Sequence, residues 1–435
     1  MLLLCASSKQ KNIIKTCYFL FFMVSVEVMA PAGSWEALRT AIQAEADSVY
    51  FGVDKLNMRA RAANNFELKD LKKVMTLLHK NGMKGYLTIN IVVYDDELGE
   101  VKKVVKKAKE AGVDAIIASD FSVINCARDE GVRVHLSTQA NVSNVDALKF
   151  YSEYVDAVVL ARELSVERIK KINHEIKKQK IMGPSKELVK TEAFIHGALC
   201  VAVSGKCYMS LATYNHSANR GDCLQTCRRK YKVFDEETGQ ALIVDNEYVM
   251  SPSDLSTFGV LPLLLDAGVS IFKIEGRGRS PEYVFEVTRA YKEALDLIGS
   301  KEYDLEKAFV LQERLKKVFN RGFWENGYYL GSKVNEWSNT YGSRATHKKH
   351  LVGKVLNFYQ KQKVASVLVE SMPFEEGEEL LIIGPTTGVV SLVCAEIKID
   401  EESVKKAKKK DLVTIKVPGK VRKNDKVYVR RLVQG

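Results

Sequence analysis

The segment FKIEGRGRSPEYVFEV, residues 272–287, contains the strand, turn and helix start from which the fold can be predicted. Its first residues alternate between apolar and charged side chains, so Lys273 and Glu275 face the same side of a strand. A glycine-rich turn follows, after which Ser280 and Pro281 suit the N-cap and the first position of a helix. A strand that leads directly into a helix is the repeating unit of α/β proteins.

The same alternation of strand and helix extends from residue 24 to residue 300. The eight strand candidates are VEVMAP (26–31), SVYFGV (48–53), KGYLTINIV (84–92), DAIIASD (114–120), RVHLSTQ (133–139), DAVVLA (156–161), TEAFIHG (191–197) and SIFKIEG (270–276). Because eight parallel strands close a (β/α)8 barrel, we predict an α/β fold: a TIM-like barrel over residues 24–300 with a cysteine-rich insertion at residues 206–258. An open doubly wound sheet is the alternative, but no glycine-rich dinucleotide-binding turn opens the first helix.

The pattern changes after residue 300. Residues 301–348 contain one helical segment and an irregular, aromatic-rich stretch, which indicates a connector. From residue 349 to residue 435, short segments of period two alternate with Gly and Asp turns, which is typical of β-strands. We therefore predict a small C-terminal all-β barrel domain.

The N-terminal residues 1–23 differ from the rest of the chain. Lysines followed by CYFLFFMVSV resemble a secretory signal, but the apolar run is far shorter than the ~20 residues of a membrane span. The first strand candidate follows directly, with Glu27 inside it. We expect residues 1–23 to be a non-native or disordered extension, Met23 to be the natural start, and the protein to be cytoplasmic, without a membrane partner.

The chain carries a net charge of +12, which favours an anionic partner. Its basic residues are bunched at residues 102–109, 228–232, 405–410 and 420–431. A solvated helix face explains the first group equally well. Arg228, Arg229 and Lys230 directly follow a group of cysteines, so we expect a nucleic-acid phosphate close to them.

Those cysteines are Cys200, Cys207, Cys223 and Cys227, in the pattern C-x6-C-x15-C-x3-C. In a reducing compartment, clustered cysteines bind metal or act in catalysis more often than they form disulfides. Zinc sites favour ligand pairs two to four residues apart, which only the last pair provides. A 4Fe-4S cluster also takes four thiolates, so the spacing favours it over zinc. Cys200 follows the seventh strand, which predicts a site at the catalytic end of the barrel.

The turn after the last strand candidate is a predicted anion site. Arg277 and Arg279 stand at a helix N-terminus, where backbone N–H groups and the helix dipole favour an anion. If Lys273 and Glu275 only pair inside the barrel and the arginines are solvated, no such site exists. Glu275, Lys273 and His196 are the candidate proton donors and acceptors.

Polar side chains also occur on or after other strands. Inward-facing polar residues are costly unless they are hydrogen-bonded, so their presence on several strands indicates a polar pocket. The further candidates for substrate binding are Tyr50, Asn57, Arg59 and Gln139.

Peptidase motifs are incomplete. His174 and Glu175 begin the zinc-protease pattern HExxH, but Lys178 occupies the place of the second histidine. The GxSxG motif of serine hydrolases does not occur. A cysteine nucleophile paired with His196 or His216 remains as the peptidase alternative.

Longer segments resemble a known family across nearly the whole chain. They are APAGSWEAL (30–38), SVYFGVDKLNMRARAANNF (48–66), STQANVSN (137–144), HGALCVAVSGKCYMS (196–210), GDCLQTCRRKY (221–231) and FKIEGRGRSPEYV (272–284). They resemble the collagenase-like peptidase U32 family, and the C-terminal segment is similar to the small β-barrel of that family.

The resemblance implies two different activities. The family's historical label is protease, including collagenase, whereas other members are RNA hydroxylation proteins or act in oxygen-independent ubiquinone hydroxylation, with a 4Fe-4S cluster on four cysteines. Length and the C-terminal barrel resemble the tRNA branch, which forms 5-hydroxyuridine at the wobble position with prephenate as the implied hydroxyl source. The resemblance thus implies Cys200, Cys207, Cys223 and Cys227 as cluster ligands, tRNA as partner and a small dicarboxylate as co-substrate. A non-catalytic iron-sulfur scaffold subunit is the third alternative.

Overall fold

A computed structural model describes residues 26–232, 235–239, 248, 250–325, 329–331 and 337–433. The predicted N-terminal extension, residues 1–23, lies outside these ranges. In the described part of the chain, no helix combines the length and the apolar character of a membrane span.

The N-terminal region alternates strands and helices. Its strands are β1 (Glu27–Ala32), β2 (Ser48–Gly52), β3 (Lys84–Ile89), β4 (Ala115–Ala118), β5 (Val134–Leu136), β6 (Ala157–Val159), β7 (Lys190–Ala198), β8 (Asp254–Ser256), β9 (Ile271–Ile274) and β10 (Phe323–Glu325). Its helices are α1 (Trp35–Gln43), α2 (Leu71–Lys80), α3 (Leu98–Ala111), α4 (Phe121–Asp129), α5 (Val145–Ser152), α6 (Val166–Gln179), α7 (Met209–Tyr214), α8 (Leu261–Asp266), α9 (Pro281–Gly299) and α10 (Leu305–Leu315).

Strands β1 to β7 and β9 form a closed parallel barrel. Each strand pairs with the next, and β9 closes the barrel because it hydrogen-bonds to both β1 and β7. The predicted eight-stranded TIM-like barrel is therefore confirmed, and the predicted eighth strand is β9.

The period-two pattern of the strands separates the barrel interior from the layer under the helices. In β2, Tyr50 belongs to a cluster inside the barrel, whereas its neighbours Val49 and Phe51 pack in the main core beneath the helices. Helices such as α2 bury one apolar stripe on that layer, including Leu71 and Leu78. The barrel interior thus stays available for polar groups at its catalytic end.

Two short strands extend the sheet beyond the barrel, and the sequence pattern did not predict them. Strand β8 pairs antiparallel with the end of β7, from His196 to Ala198, and β10 pairs parallel with β8. The segment DLS of β8 lacks the alternation of a strand, so only its contact with the long β7 creates it. Strand β8 thus lies directly beside the end of β7, which leads into Cys200.

The C-terminal region is antiparallel and all-β, as predicted. Its strands are β11 (His347–Tyr359), β12 (Val364–Val369), β13 (Phe374–Glu375), β14 (Glu379–Gly384), β15 (Gly388–Val393), β16 (Ile397–Ile399), β17 (Glu402–Val404), β18 (Lys406–Ala407), β19 (Leu412–Lys416) and β20 (Lys426–Leu432). Eight of them form one sheet in the order β15-β14-β20-β11-β12-β19-β16-β17, and β13 pairs with β18. This region has its own apolar core.

Polar side chains connect the two regions. Gln43, at the end of α1, donates to the carbonyl of Thr387 at 2.9 Å and accepts from the backbone N–H of Val389 at 3.0 Å. Lys349 of β11 pairs with Glu282 of α9 at 2.8 Å. Because α9 begins at the predicted anion-binding turn, the C-terminal region lies close to one side of the site.

Candidate functional site

A cavity of about 330 Å³ opens at the carboxyl ends of the barrel strands. Strand side chains form its floor: Tyr50, Thr88, Ile117, Val159, Phe194 and Lys273. The cavity brings together most of the predicted site residues: Tyr50, Arg59, Gln139, Lys273, Glu275, Arg277, Arg279 and all four cysteines. Asn57 and His196 are not among the lining residues.

The four cysteines lie along the wall of this cavity as free thiols. Burial raises the pKa of Cys227 to about 11; Arg228 opposes this shift, and the other three thiols add to it. Among the described residues, no three His, Cys, Asp or Glu side chains are close enough together to hold a single metal ion. The donor chemistry, four thiols facing one cavity, fits the ligand set of a 4Fe-4S cluster.

Arg228 lies directly after residues 200–227, which we call the cysteine segment, and it is only 8% exposed. Its guanidinium donates to the carbonyl of Leu199 at 2.5 Å, to Ser251 Oγ at 3.0 Å and to the carbonyl of Pro252. Since Arg228 directly follows Cys227 and contacts Leu199, which directly precedes Cys200, its side chain joins the two ends of the segment that carries the four cysteines. The sequence predicts phosphate binding by Arg228. Because Arg228 is buried and donates to carbonyls inside the protein, it cannot contact an external phosphate, and this part of the prediction is wrong.

Arg277 is a buried cation at the cavity, 4% exposed. Its Nη1 donates to Asn57 Oδ1 at 2.9 Å and to Thr88 Oγ1 at 2.8 Å, and burial lowers its pKa to about 10. No ion pair of Arg277 with a carboxylate occurs among the described residues. Asn57 therefore supports Arg277 from behind, and the remaining donors of the guanidinium can take an anion.

Gly52 makes this position of Arg277 accessible. A Cβ atom at Gly52 would lie 2.6 Å from Arg277 Nη1 and 2.6 Å from Asn57 Cγ. A larger residue at this position would displace either side chain.

Glu275 forms an ion pair with Arg59, with 2.8 Å between Oε1 and Nη2. Burial raises the pKa of Glu275, but the charges of Arg59 and Arg279 outweigh burial and hold it below its ordinary value. Glu275 is therefore held in its carboxylate form. Arg279 is half-buried, with its guanidinium stacked 3.6 Å from the centre of the Phe319 ring.

Lys273 is the cation on the cavity floor. Its Nζ lies 2.5 Å from Glu192 Oε1 and 4.5 Å from the centre of the Tyr50 ring. Glu192 is fully buried, and its other oxygen lies 3.6 Å from His135 Nδ1. Lys273 thus pairs with Glu192, and not with Glu275 as the alternative predicted. The Tyr50 hydroxyl donates to the carbonyl of Ile274 at 2.9 Å, so only its ring faces the cavity.

Gln139 forms part of the polar wall. Its amide nitrogen donates to the Asn90 carbonyl, and its amide oxygen accepts from Ser137 Oγ. The three residues follow β3 and β5, so this wall joins two loops at the catalytic end.

His196 lies away from the cavity. Its Nδ1 is 3.3 Å from the Tyr291 hydroxyl, and its ring packs against Phe323 at 5.6 Å. Burial, with a smaller contribution from Arg279, lowers its pKa to about 3. A neutral, enclosed imidazole in this position does not support the predicted role in proton transfer.

The lining of the cavity is strongly basic. Among the described residues, it contains one acid, Glu275, and seven basic residues: Arg59, Arg162, Arg228, Lys273, Arg277, Arg279 and Arg321. Behind the lining, Glu192 pairs with Lys273 and Asp254 with Arg321, so the excess of positive charge is smaller than this count but remains. Such an excess of positive charge favours an anionic occupant.

The segment of the chain that forms the cavity matches the profile of a known protein family. The profile of peptidase family U32 matches residues 33–339, which include the whole cavity. The chain belongs to peptidase family U32. A "Collagenase" of Porphyromonas gingivalis (strain ATCC BAA-308 / W83) is 49% identical over 92% of this chain and 97% of its own length. "tRNA hydroxylation protein P1" of Bacillus subtilis (strain 168) is 31% identical over 82% of this chain and 83% of its own length.

A third relative carries another activity in its name. "23S rRNA 5-hydroxycytidine C2501 synthase" of Escherichia coli (strain K12) is 37% identical over 72% of this chain, but only 46% of its own length is matched. U32 proteins similar to this chain are therefore named both for proteolysis and for RNA hydroxylation.

The structure of this U32 chain adds residues that the sequence did not single out. Arg321 pairs with the buried Asp254 at 3.4 Å, and Glu192 holds Lys273. Asp254 and Arg321 lie on segments that carry no strand or motif signal. Glu192 was detectable as an acid inside the seventh strand candidate, where an unpaired charge would be costly.

Proposed function

We propose that this U32 chain is an RNA-modifying enzyme of the cytoplasm, and that it hydroxylates the wobble uridine of a tRNA to 5-hydroxyuridine without molecular oxygen. Relatives named for tRNA hydroxylation and for 5-hydroxycytidine synthesis support the reaction class. The observation that carries the proposal is one cavity in which four free thiols accompany the buried Arg277.

In this proposal Cys200, Cys207, Cys223 and Cys227 hold a 4Fe-4S cluster. When bound, such a cluster supplies one-electron redox chemistry. The spacing of the four cysteines and the basic lining of the cavity support an anionic centre of this kind.

Arg277 is the proposed anion site. A buried guanidinium with free donors suits one carboxylate of a small dicarboxylate, by charge-assisted hydrogen bonds. Prephenate is our candidate for this co-substrate and hydroxyl source, and the resemblance of the chain to the tRNA branch of the family supports it. Arg279 and Arg59 border the same space.

A uridine would enter the cavity only after it leaves its stack, since the C5 edge of a stacked base cannot reach the floor. Gln139 could then hydrogen-bond to the edge of the base. In the proposed reaction the C–O bond of the co-substrate breaks, its hydroxyl group passes to C5, and the co-substrate takes up the two electrons that the uracil loses. Glu275, kept ionised by Arg59, is the proposed acceptor of the proton that leaves C5 and would return it to the reduced co-substrate. Lys273 would stabilise negative charge that develops on the ring.

The experiment compares modified nucleosides by mass spectrometry in a deletion strain complemented with wild-type protein or with the Cys200→Ala variant. We expect 5-hydroxyuridine in tRNA to disappear on deletion, to return with the wild type and to stay absent with the variant. An unchanged level in the deletion strain would refute the proposal.

A peptidase activity is the second candidate, because the relative at 49% identity is named Collagenase. Among the described residues, neither His196 nor His216 is hydrogen-bonded to a cysteine; His216 contacts Asp222 instead. Cleavage of gelatin by purified protein, lost on substitution of one cysteine, would favour this candidate.

A further inference from the structure

Three exposed tyrosines lie on segments that border the cavity. Tyr94 is 54% exposed, Tyr208 68% and Tyr214 43%. Large aromatic side chains in water are costly, and a group of them beside a cavity indicates a binding surface. We call these three residues the tyrosine rim.

Each residue of the tyrosine rim is tied to the lining of the cavity. Tyr208 lies between Cys207 and Met209, which both line it, and Tyr214 ends the short helix α7 that begins at Met209. Tyr94 lies beneath the guanidinium of Arg220, whose two neighbours in sequence line the cavity.

The tyrosine rim thus combines the loop after β3, which carries Tyr94, with the cysteine segment, which carries Tyr208 and Tyr214.

Arginines accompany the tyrosines. The Arg220 guanidinium lies 3.9 Å from the centre of the Tyr94 ring and is oriented by Glu97, at 2.7 Å. The Arg229 guanidinium lies 5.1 Å from the centre of the Tyr214 ring and is exposed. Aromatic faces next to guanidinium groups are the surface that stacks nucleobases and binds the phosphates between them.

We infer that the tyrosine rim, with Arg220 and Arg229, binds single-stranded RNA, so that bases flanking the target stack on the tyrosines while the target base enters the cavity. This inference rests on the proposed function and specifies its substrate as an unpaired RNA loop. A duplex does not fit, because its bases are stacked on each other and cannot also stack on protein rings.

The test measures binding by fluorescence anisotropy, with full-length protein purified without oxygen. The probes are a labelled RNA hairpin with an unpaired, uridine-containing loop and a fully paired RNA duplex of the same composition. We expect Tyr208→Ala and Tyr214→Ala each to weaken hairpin binding by about 5- to 100-fold, the usual loss for a stacking residue. Duplex binding should not change.

Two further variants sharpen the test. Tyr208→Phe keeps a stacking ring and should bind the hairpin like wild type, and Tyr359→Ala removes an exposed tyrosine of the C-terminal region, 47% exposed, and should have no effect. Arg229→Met should lower the salt dependence of hairpin binding by about one phosphate contact. Circular dichroism checks that each variant is folded.

The outcomes separate this inference from the proposed function. Hairpin affinity that survives both Tyr→Ala substitutions, equal losses for hairpin and duplex, or displacement of the hairpin by gelatin would overturn the tyrosine rim as an RNA site. If the rim variants lose hairpin binding but deletion leaves cellular 5-hydroxyuridine unchanged, the rim stands and the proposed hydroxylation fails.

Discussion

The floor of the cavity and its cysteine wall are held in different ways. On the floor and beside it, Lys273 of β9 is fixed by Glu192 of the neighbouring strand β7, and Arg277 of the turn after β9 is fixed by Thr88 of β3 and by Asn57 of the segment after β2. The wall is a long segment with only one short α-helix, and Arg228 joins it to the barrel through backbone carbonyls. Barrel strands and the turns at their ends thus organise the proposed anion site, whereas the cysteine segment is held by side chains from several loops, including Arg61, Asn141 and Arg321.

The largest expected effect concerns the floor. Lys273→Met leaves the fully buried Glu192 without its main partner, so we expect a loss of about 3–5 kcal/mol in the free energy of unfolding. Denaturant unfolding measures it. A much smaller loss of stability would show that Glu192 finds another partner and that the barrel floor is not held by this ion pair.

The matched control replaces both partners. Lys273→Met combined with Glu192→Met removes the charge pair, so we expect most of the stability to return. If RNA modification also returned, the pair would serve the fold only. Recovered stability without modification would assign Lys273 to the reaction.

The next effect concerns the wall. Arg228→Met removes charge-assisted bonds to three buried acceptors, and we expect a loss of about 2–4 kcal/mol together with faster proteolysis within the cysteine segment. Arg229→Met, at the exposed neighbour, is the control and should leave proteolysis unchanged. Similar cleavage of both variants would contradict the role of Arg228 as the link to the barrel.

The next effect concerns Arg277, the proposed anion site. Arg277→Gln should weaken binding of prephenate by about 10- to 100-fold, because a charge-assisted hydrogen bond is lost. Isothermal titration calorimetry measures it, with Arg279→Gln as comparison. Since Arg279 is stacked on Phe319 and more exposed, its loss should matter less. If Arg279→Gln weakened binding more than Arg277→Gln, the anion would bind at Arg279, closer to the mouth of the cavity.

The smallest effect depends on pH. The pKa of Glu275 is lower in the folded protein than in the unfolded chain, so the ion pair with Arg59 contributes stability above the unfolded pKa of about 4.3, and this contribution is lost as the pH falls through the folded pKa. Glu275→Gln should therefore lose less stability than wild type on acidification below about pH 5. Parallel stability profiles of the two proteins would show that the pair is too solvated to contribute.

Much of the fold could be predicted because its signals are local. The eight barrel strands and the main C-terminal strands have alternating or β-branched sequences with turn residues between them. Strands β8 and β10 have three residues each and no such pattern, so their existence depends on the exposed edge of β7.

Some residues of the site could be predicted from the sequence, and others could not. The cysteine spacing and the arginine-rich turn are visible in the sequence, and the cavity brings them together as the barrel predicts. His196 was misleading because a strand residue can face either the cavity or the helices, and the register shift between Phe194 and His196 decides which.

The sequence by itself determined the chemical groups of this protein: thiols at one strand end, a glycine-rich basic turn at another, and the alternation that closes eight strands. Only the tertiary structure decided which cations are free to bind. It pairs Lys273 with Glu192, commits Arg228 to backbone carbonyls and leaves Arg277 with hydrogen-bond partners but without an ion pair to a carboxylate among the described residues. The reason is that the partners lie far apart in the chain, and burial makes each pairing energetically decisive.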